Sequence, residues 1–125
     1  MIHRIATLGL AATLCGGAFA ADVPDAFFPA DIQRTDAPQV IDLITPYIGG
    51  FPETTEGRGI IDLDVESVGD ALEMTLRLEG FLDDSVSGII YRGRIVPGPE
   101  GWRMEELAQR PICARGAVSD DGRCP

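Results

Sequence analysis

The chain has no lysine, and its ten basic residues are all arginine. Histidine occurs once, as His3, and cysteine three times, as Cys15, Cys113 and Cys124. Each shortage removes a class of chemistry. Without lysine there is no lysine Schiff base and no Ser-Lys nucleophile pair. Neither G-x-x-x-x-G-K-[ST] nor G-x-G-x-x-G occurs, so the backbone cradles that hold nucleotide phosphates are missing. No second apolar run follows the first twenty residues, so no other stretch is long enough to cross a bilayer.

Residues 1–20 read as an export signal. His3 and Arg4 give a short positive start, residues 5–19 are mostly apolar but too few to span a membrane, and Ala18-Phe19-Ala20 is an A-x-A cleavage site. Cleavage is expected after Ala20, with a retained anchor as the alternative. Leu14 is bulky where lipoprotein processing at Cys15 would require a small residue. The mature chain is then expected to be periplasmic or secreted and free of the membrane.

Cleavage removes His3, Arg4 and Cys15. About 105 residues remain, with nine arginines against twenty acids, a formal charge of −11. With no histidine left, Ser-His-Asp and Cys-His nucleophiles and histidine-ligated metals are excluded. No cofactor is expected. In an oxidising compartment Cys113 and Cys124 read as a disulfide, and there is no C-x-x-C to read as a redox or zinc motif. The acidic balance argues against nucleic acid and anionic lipid, whose binding relies on basic side chains. It permits a basic protein partner, although solubility alone also accounts for it.

What is present is a patterned run over residues 60–112. In residues 60–66, Ile61, Leu63 and Val65 alternate with Asp62, Asp64 and Glu66. In residues 71–79, Leu72, Met74, Leu76 and Leu78 alternate with Glu73, Thr75, Arg77 and Glu79. A turn over residues 67–70 predicts a hairpin pairing Val65 with Leu72, Leu63 with Met74 and Ile61 with Leu76, so that both apolar faces coincide. A third strand, residues 86–96, places Ile89, Tyr91, Gly93 and Ile95 on the core side. Arg92 and Arg94 fall on the other side, with Arg94 near Glu73. A loop over residues 97–101 precedes a fourth strand that starts at Trp102, and residues 105–107 break the alternation as a bulge would.

Ahead of this run, residues 21–35 read as an irregular segment with one helical turn near residues 25–28 and Phe27-Phe28 covering a core edge. Residues 36–125 form one domain. Asp36 is placed to cap a helix, with Pro38 in its first turn and Gln39 three residues on. Val40, Ile41, Ile44, Tyr47 and Ile48 recur on one face, and Gly49-Gly50 stops it. Pro46 either ends this helix near Thr45 or bends it. The expected fold is α+β: one N-terminal helix on a four-stranded antiparallel meander in a cystatin/NTF2-like layout, with a disulfide-closed tail. A small β-barrel is the alternative.

The remaining candidate chemistry lies in carboxylates, two tyrosines and four serines. Asp62 with Asp64, Asp83 with Asp84, and Asp120 with Asp121 are acid pairs that read first as solvated surface. General acid/base catalysis would require a carboxyl held in a cleft with a raised pKa. A dedicated calcium loop is not expected, because D-x-[DN]-x-[DN]-G is absent. Trp102, Arg103 and Tyr91 could form an aromatic wall, and Arg92, Arg94 and Arg103 an anion site. Core packing and cross-strand pairing with Glu73, Glu79 and Glu105 are the plainer readings.

Residues 82–88 followed by Tyr91, Gly101-Trp102-Arg103, Cys113, Arg115-Gly116 and Cys124 resemble the C-terminal half of a group of uncharacterised small exported bacterial proteins. The resemblance implies an exported domain with a closing disulfide, and no activity. Ser87-Gly88-Ile89-Ile90-Tyr91 is also similar to the S-G-x-x-Y element of small periplasmic lysozyme inhibitors. That implies an enzyme-contacting role for Ser87 and Tyr91, while the family's second element, Y-x-x-x-T-K-G, is missing. A non-catalytic binding or interaction protein is therefore expected, with interaction candidates Ser87, Tyr91, Arg92, Arg94 and Trp102. An inhibitor of a basic hydrolase such as lysozyme and a carboxylate-dependent enzyme are the alternatives.

Overall fold

The computed structural model describes residues 26–53, 56 and 58–125. The export-signal segment, with Cys15 and the Ala20 cleavage site, lies outside the described residues, as does Asp25.

The chain runs β1 (Phe28–Pro29), β2 (Asp36–Ala37), α1 (Val40–Ile48), β3 (Ile60–Val68), β4 (Ala71–Glu79), β5 (Val86–Gly98) and β6 (Gly101–Cys113). Strands β3 to β6 form an antiparallel meander. The N-terminal segment runs along the outside of β6, pairing twice, so the sheet order is β1-β6-β5-β4-β3 with β2 also on β6. The sheet therefore has six strands among the described residues rather than four. It is open, with β1 and β3 at opposite edges, which overturns the barrel alternative. Residues 28–29 are strand, not a helical turn.

The β3–β4 hairpin turns at Gly69-Asp70, because Val68 pairs with Ala71. Gly69 is the first central residue and has φ +61°, the position and sign that a type II′ turn reserves for glycine. This tighter turn moves the register by two residues from the expected one: Val65 faces Met74, Leu63 faces Leu76, and Ile61 faces Leu78. A two-residue shift keeps every side chain on its face, so the apolar pattern alone could not detect it. On the other face Glu66, not Asp64, now opposes Glu73, and Glu73 in turn faces Arg94. At the β5–β6 hairpin, Gly98 pairs with Gly101, so a two-residue turn replaces the expected five-residue loop. The ladder slips between Arg94 and Ile95, where Glu105 is the extra residue on β6.

The helix starts later than its cap signals indicate. Asp36 lies in β2, opposite Arg103, and its carboxylate accepts from Arg103 Nε at 2.9 Å instead of capping. Gln39 occupies the cap position without a side-chain hydrogen bond. Strand pairing and an ion pair have displaced a local capping preference. Pro46 neither ends the helix nor prevents its last residues, since α1 reaches Ile48 before Gly49 and Gly50 (φ +82°) terminate it.

The core lies between α1 and the middle of the sheet. Leu43, Ile44 and Tyr47 of the helix meet Met74, Leu76, Leu78, Ile95, Met104 and Leu107. Gly93 lies beneath the two methionines: a Cβ there would stand 2.9 Å from Met104 Sδ and 3.1 Å from Met74 Cε. Each fully buried Leu or Met contributes about 1.5–3 kcal/mol. Burial ends abruptly one strand further on. Met74, Leu76 and Leu78 are 1%, 0% and 3% exposed, while their partners Val65, Leu63 and Ile61 are 38%, 36% and 47% exposed. The helix packs toward β2 and β6, on the opposite side of the sheet from β3.

Two ties hold the periphery. Cys113 and Cys124 form the disulfide that closes the tail onto the end of β6. A ring of this size contributes on the order of 3 kcal/mol by chain entropy. Tyr47 Oη accepts from the Gln33 N–H at 2.8 Å and donates to the Asp31 carbonyl at 3.3 Å. It thereby fixes the turn of chain between Ala30 and Thr35, which themselves bond to β6. Tyr47→Phe is expected to lower stability by about 1–2 kcal/mol, because the Gln33 N–H loses its partner in a part-buried site. Urea unfolding of the variant checks this, and an unchanged midpoint would contradict it.

Candidate interaction surfaces

Three surfaces differ in what holds their side chains. The first is a cleft of about 550 Å³ between the end of α1 and the β4–β5 connection. Tyr47 and Tyr91 meet there with ring centroids 5.1 Å apart, and Phe51 and Phe81 at 5.4 Å, both pairs tilted. Tilted pairs at this separation match the aromatic quadrupole and contribute about 0.5–1.5 kcal/mol beyond burial. Burial first, and the neighbouring Tyr47 second, push the Tyr91 phenol above its ordinary 10.0.

Asp83 stands at the rim of this cleft. Its Oδ1 accepts from the Ser85 N–H at 2.7 Å and the Val86 N–H at 2.9 Å, so the carboxylate organises the turn that enters β5. The Ser85 bond, then the Val86 bond, hold its pKa below the ordinary 3.8. A group used in this way is neither raised nor free, as a general acid would need to be. Asp121 is similar: a hydrogen bond from the Ser119 hydroxyl is the main cause of its lowered pKa, and Arg123 lies 3.4 Å away. Among the described residues, no group of three metal-ligating side chains converges.

The second surface is the outer face of the sheet, with an open groove of about 850 Å³. The Arg92 guanidinium lies 4.2 Å over the Phe27 ring, and Arg110 lies 5.4 Å from it. Phe27 thus sits under arginine on the outer face, while Phe28 lies against Gly122 of the disulfide loop. Arg94 Nε donates to Glu105 at 2.9 Å, and Arg103 pairs with Asp36. The three arginines proposed as an anion site are each engaged separately, two of them by carboxylates.

Trp102 does not join Tyr91. It is the second residue of β6, opposite Pro97 and Ala37, six residues along β5 from Tyr91, and packs on the core. No aromatic wall forms between them. Ser87 lies in the register slip at the start of β5. Its hydroxyl donates to the Ile112 carbonyl at 3.2 Å, and its own carbonyl accepts from the Gly80 and Phe81 N–H groups. These bonds tie it into the sheet.

The third surface is β3, which the apolar pattern placed in the core. All nine residues are exposed, and among the described residues the strand pairs only with β4. Its inner side presents Ile61, Leu63 and Val65, and its outer side Asp62, Asp64 and Glu66. The turn geometry fixes the backbone as well. Val68 and Ala71 flank a two-residue loop and form a hydrogen-bonded pair, so Asp62, Asp64 and Glu66 bond to β4 through their N–H and C=O groups. The N–H and C=O groups of Ile61, Leu63, Val65 and Ser67 then point away from the sheet. The alternation carries no signal of this exposure, because it reports which side of a strand is apolar and not whether that side is covered.

No protein-family profile matches the chain, and comparison with curated proteins and with solved structures finds no match.

The Tyr91 environment carries a pH consequence. Its pKa is raised on folding, so the stabilisation is present below pH 10 and is lost as pH rises through the higher folded value. Tyrosinate absorbance should show a component ionising above 10.0, and Tyr91→Phe should remove it. Persistence of that component in the variant would contradict the placement.

Proposed function

We propose that this chain is a non-catalytic binding protein of an oxidising, extracytoplasmic compartment, and that β3 is its contact surface. The observation that carries this is the strand itself: nine exposed residues, an uncovered apolar side and an acidic side. Covering Ile61, Leu63 and Val65 would contribute about 1–2 kcal/mol each at the usual area coefficient. An open strand edge is otherwise a site of aggregation, and the carboxylates of Asp62, Asp64 and Glu66 guard against this.

The compartment rests on the export signal read in residues 1–20 and on the disulfide, which oxidising surroundings maintain. The helix preceding an open antiparallel sheet supports a cystatin- or NTF2-like layout. The partner is a basic protein, since the acids of β3 continue to Glu73 and the whole chain is strongly acidic. A basic hydrolase such as lysozyme is the particular form of this partner that the S-G-x-x-Y resemblance favours.

Lysozyme retention by the immobilised mature chain at low salt is the test. Retention is expected, and it should fall sharply in Asp62→Arg/Asp64→Arg but persist in Asp120→Arg/Asp121→Arg, which removes the same charge from the tail. Equal loss in both variants would reduce the effect to net charge and contradict β3 as the contact. Absence of retention in the unmodified chain would contradict the hydrolase partner.

A further inference from the structure

We infer that β3 receives an extended segment of a partner chain that alternates apolar and basic side chains and adds to the sheet as its next strand. The inference rests on β3 being the contact surface and specifies what occupies it. The backbone and the two sides of the strand select such an occupant, and the acids exclude a second copy.

The backbone comes first. Ile61, Leu63, Val65 and Ser67 direct their N–H and C=O groups away from β4 along a strand about 30 Å long. An incoming strand satisfies all of them, whereas a helix face or a small apolar molecule satisfies none. Strand addition is a general mode of peptide recognition in which backbone bonds provide affinity and alternate side chains provide specificity.

The two sides of the strand then set the alternation. Side chains of the added strand that fall on the inner side would lie beside Ile61, Leu63 and Val65, in line with the buried Leu78, Leu76 and Met74. They would extend the core by one row and should be apolar. Those on the outer side would lie beside Asp62, Asp64 and Glu66 and should be basic. The nearest cation on β4 is Arg77, opposite Asp62, and it is already bonded to Glu79 at 2.6 Å. Beyond it Glu73 faces Glu66, so that end of the acidic ladder is not neutralised from within β4.

A second copy of this chain fits the edge poorly. Antiparallel pairing of β3 with itself about Asp64 would align Leu63 with Val65, but it would set Asp62, Asp64 and Glu66 against Glu66, Asp64 and Asp62. Like charges directly opposite each other destabilise a ladder. The same acids that favour a basic strand therefore oppose self-association.

The probe is an end-blocked nine-residue peptide alternating valine and arginine, titrated into the full mature chain. Controls are an alternating valine/glutamate peptide and a block peptide of the first composition with all valines ahead of all arginines. The alternating valine/arginine peptide should bind more tightly than either control, with amide shift changes centred on residues 60–68. Leu63→Pro removes one outward N–H without touching the β3–β4 ladder, and Asp64→Arg reverses the central charge; each should weaken binding about tenfold or more. Asp64→Arg should also gain affinity for the valine/glutamate peptide, and it carries the test if Leu63→Pro does not fold. Equal binding of the block peptide, shift changes away from β3, or indifference to Asp64→Arg would overturn the inference. So would a dimer of the free chain with β3 protected, which would assign the edge to a second copy. If lysozyme retention still depends on Asp62 and Asp64 while the peptide fails, strand addition falls and the acidic contact surface stands. If both fail, so does β3 as a contact.

Discussion

Tyr47 joins the two parts of the chain that are furthest apart in character. Its ring is buried under the helix against Tyr91, and its hydroxyl holds the Gln33 N–H and the Asp31 carbonyl. Those two residues lie between Ala30 and Thr35, the positions at which the segment bonds to β6 on either side. A tyrosine suits this position because one side chain provides both an apolar body and a polar tip. With the segment held there, the β6 edge is closed by the protein's own backbone. Ala30 donates to Leu107, and Met104 donates to Thr35, on either side of the gap.

Closing one edge leaves the other. The helix is drawn toward β2 and β6 by the segment that leads into it, and its buried residues share one core cluster with residues of β4, β5 and β6. With the helix placed on that side, covering the last strand would take a second layer. None is present among the described residues, and β3 is paired on one side only. The apolar side of β3 continues the core pattern without receiving its burial. The strand is kept soluble by the acids on its other face rather than by being covered.

Much of this was legible in the alternation. The strands β3 to β6, their apolar faces, the opposition of Glu73 to Arg94 and the irregularity at Glu105 all follow from period-two patterning and turn residues. Three features were not. The β3–β4 register differs by two residues, because face alternation is blind to even shifts and only the choice of Gly69-Asp70 as the turn decides it. The capping signal at Asp36 was real as a local preference, but it yielded to pairing with Arg103 and Trp102, which are far away in sequence. Exposure of β3 was invisible because alternation reports which side of a strand is apolar, not whether anything covers it. Of the candidate residues, Ser87 proved bound into the sheet, Trp102 lay far from Tyr91, and the arginines were engaged one by one.

The proposed role depends on a single physical condition, that the outward backbone groups of β3 are free in the isolated chain. Amide hydrogen exchange resolved by residue reads this directly. Slow exchange is expected at Asp62, Asp64 and Glu66, whose N–H groups bond to β4, and fast exchange at Ile61, Leu63, Val65 and Ser67. Protection alternating along β3 in this phase is what an open edge requires. Uniform protection along the strand would mean that the edge is already occupied and would contradict the account at its centre.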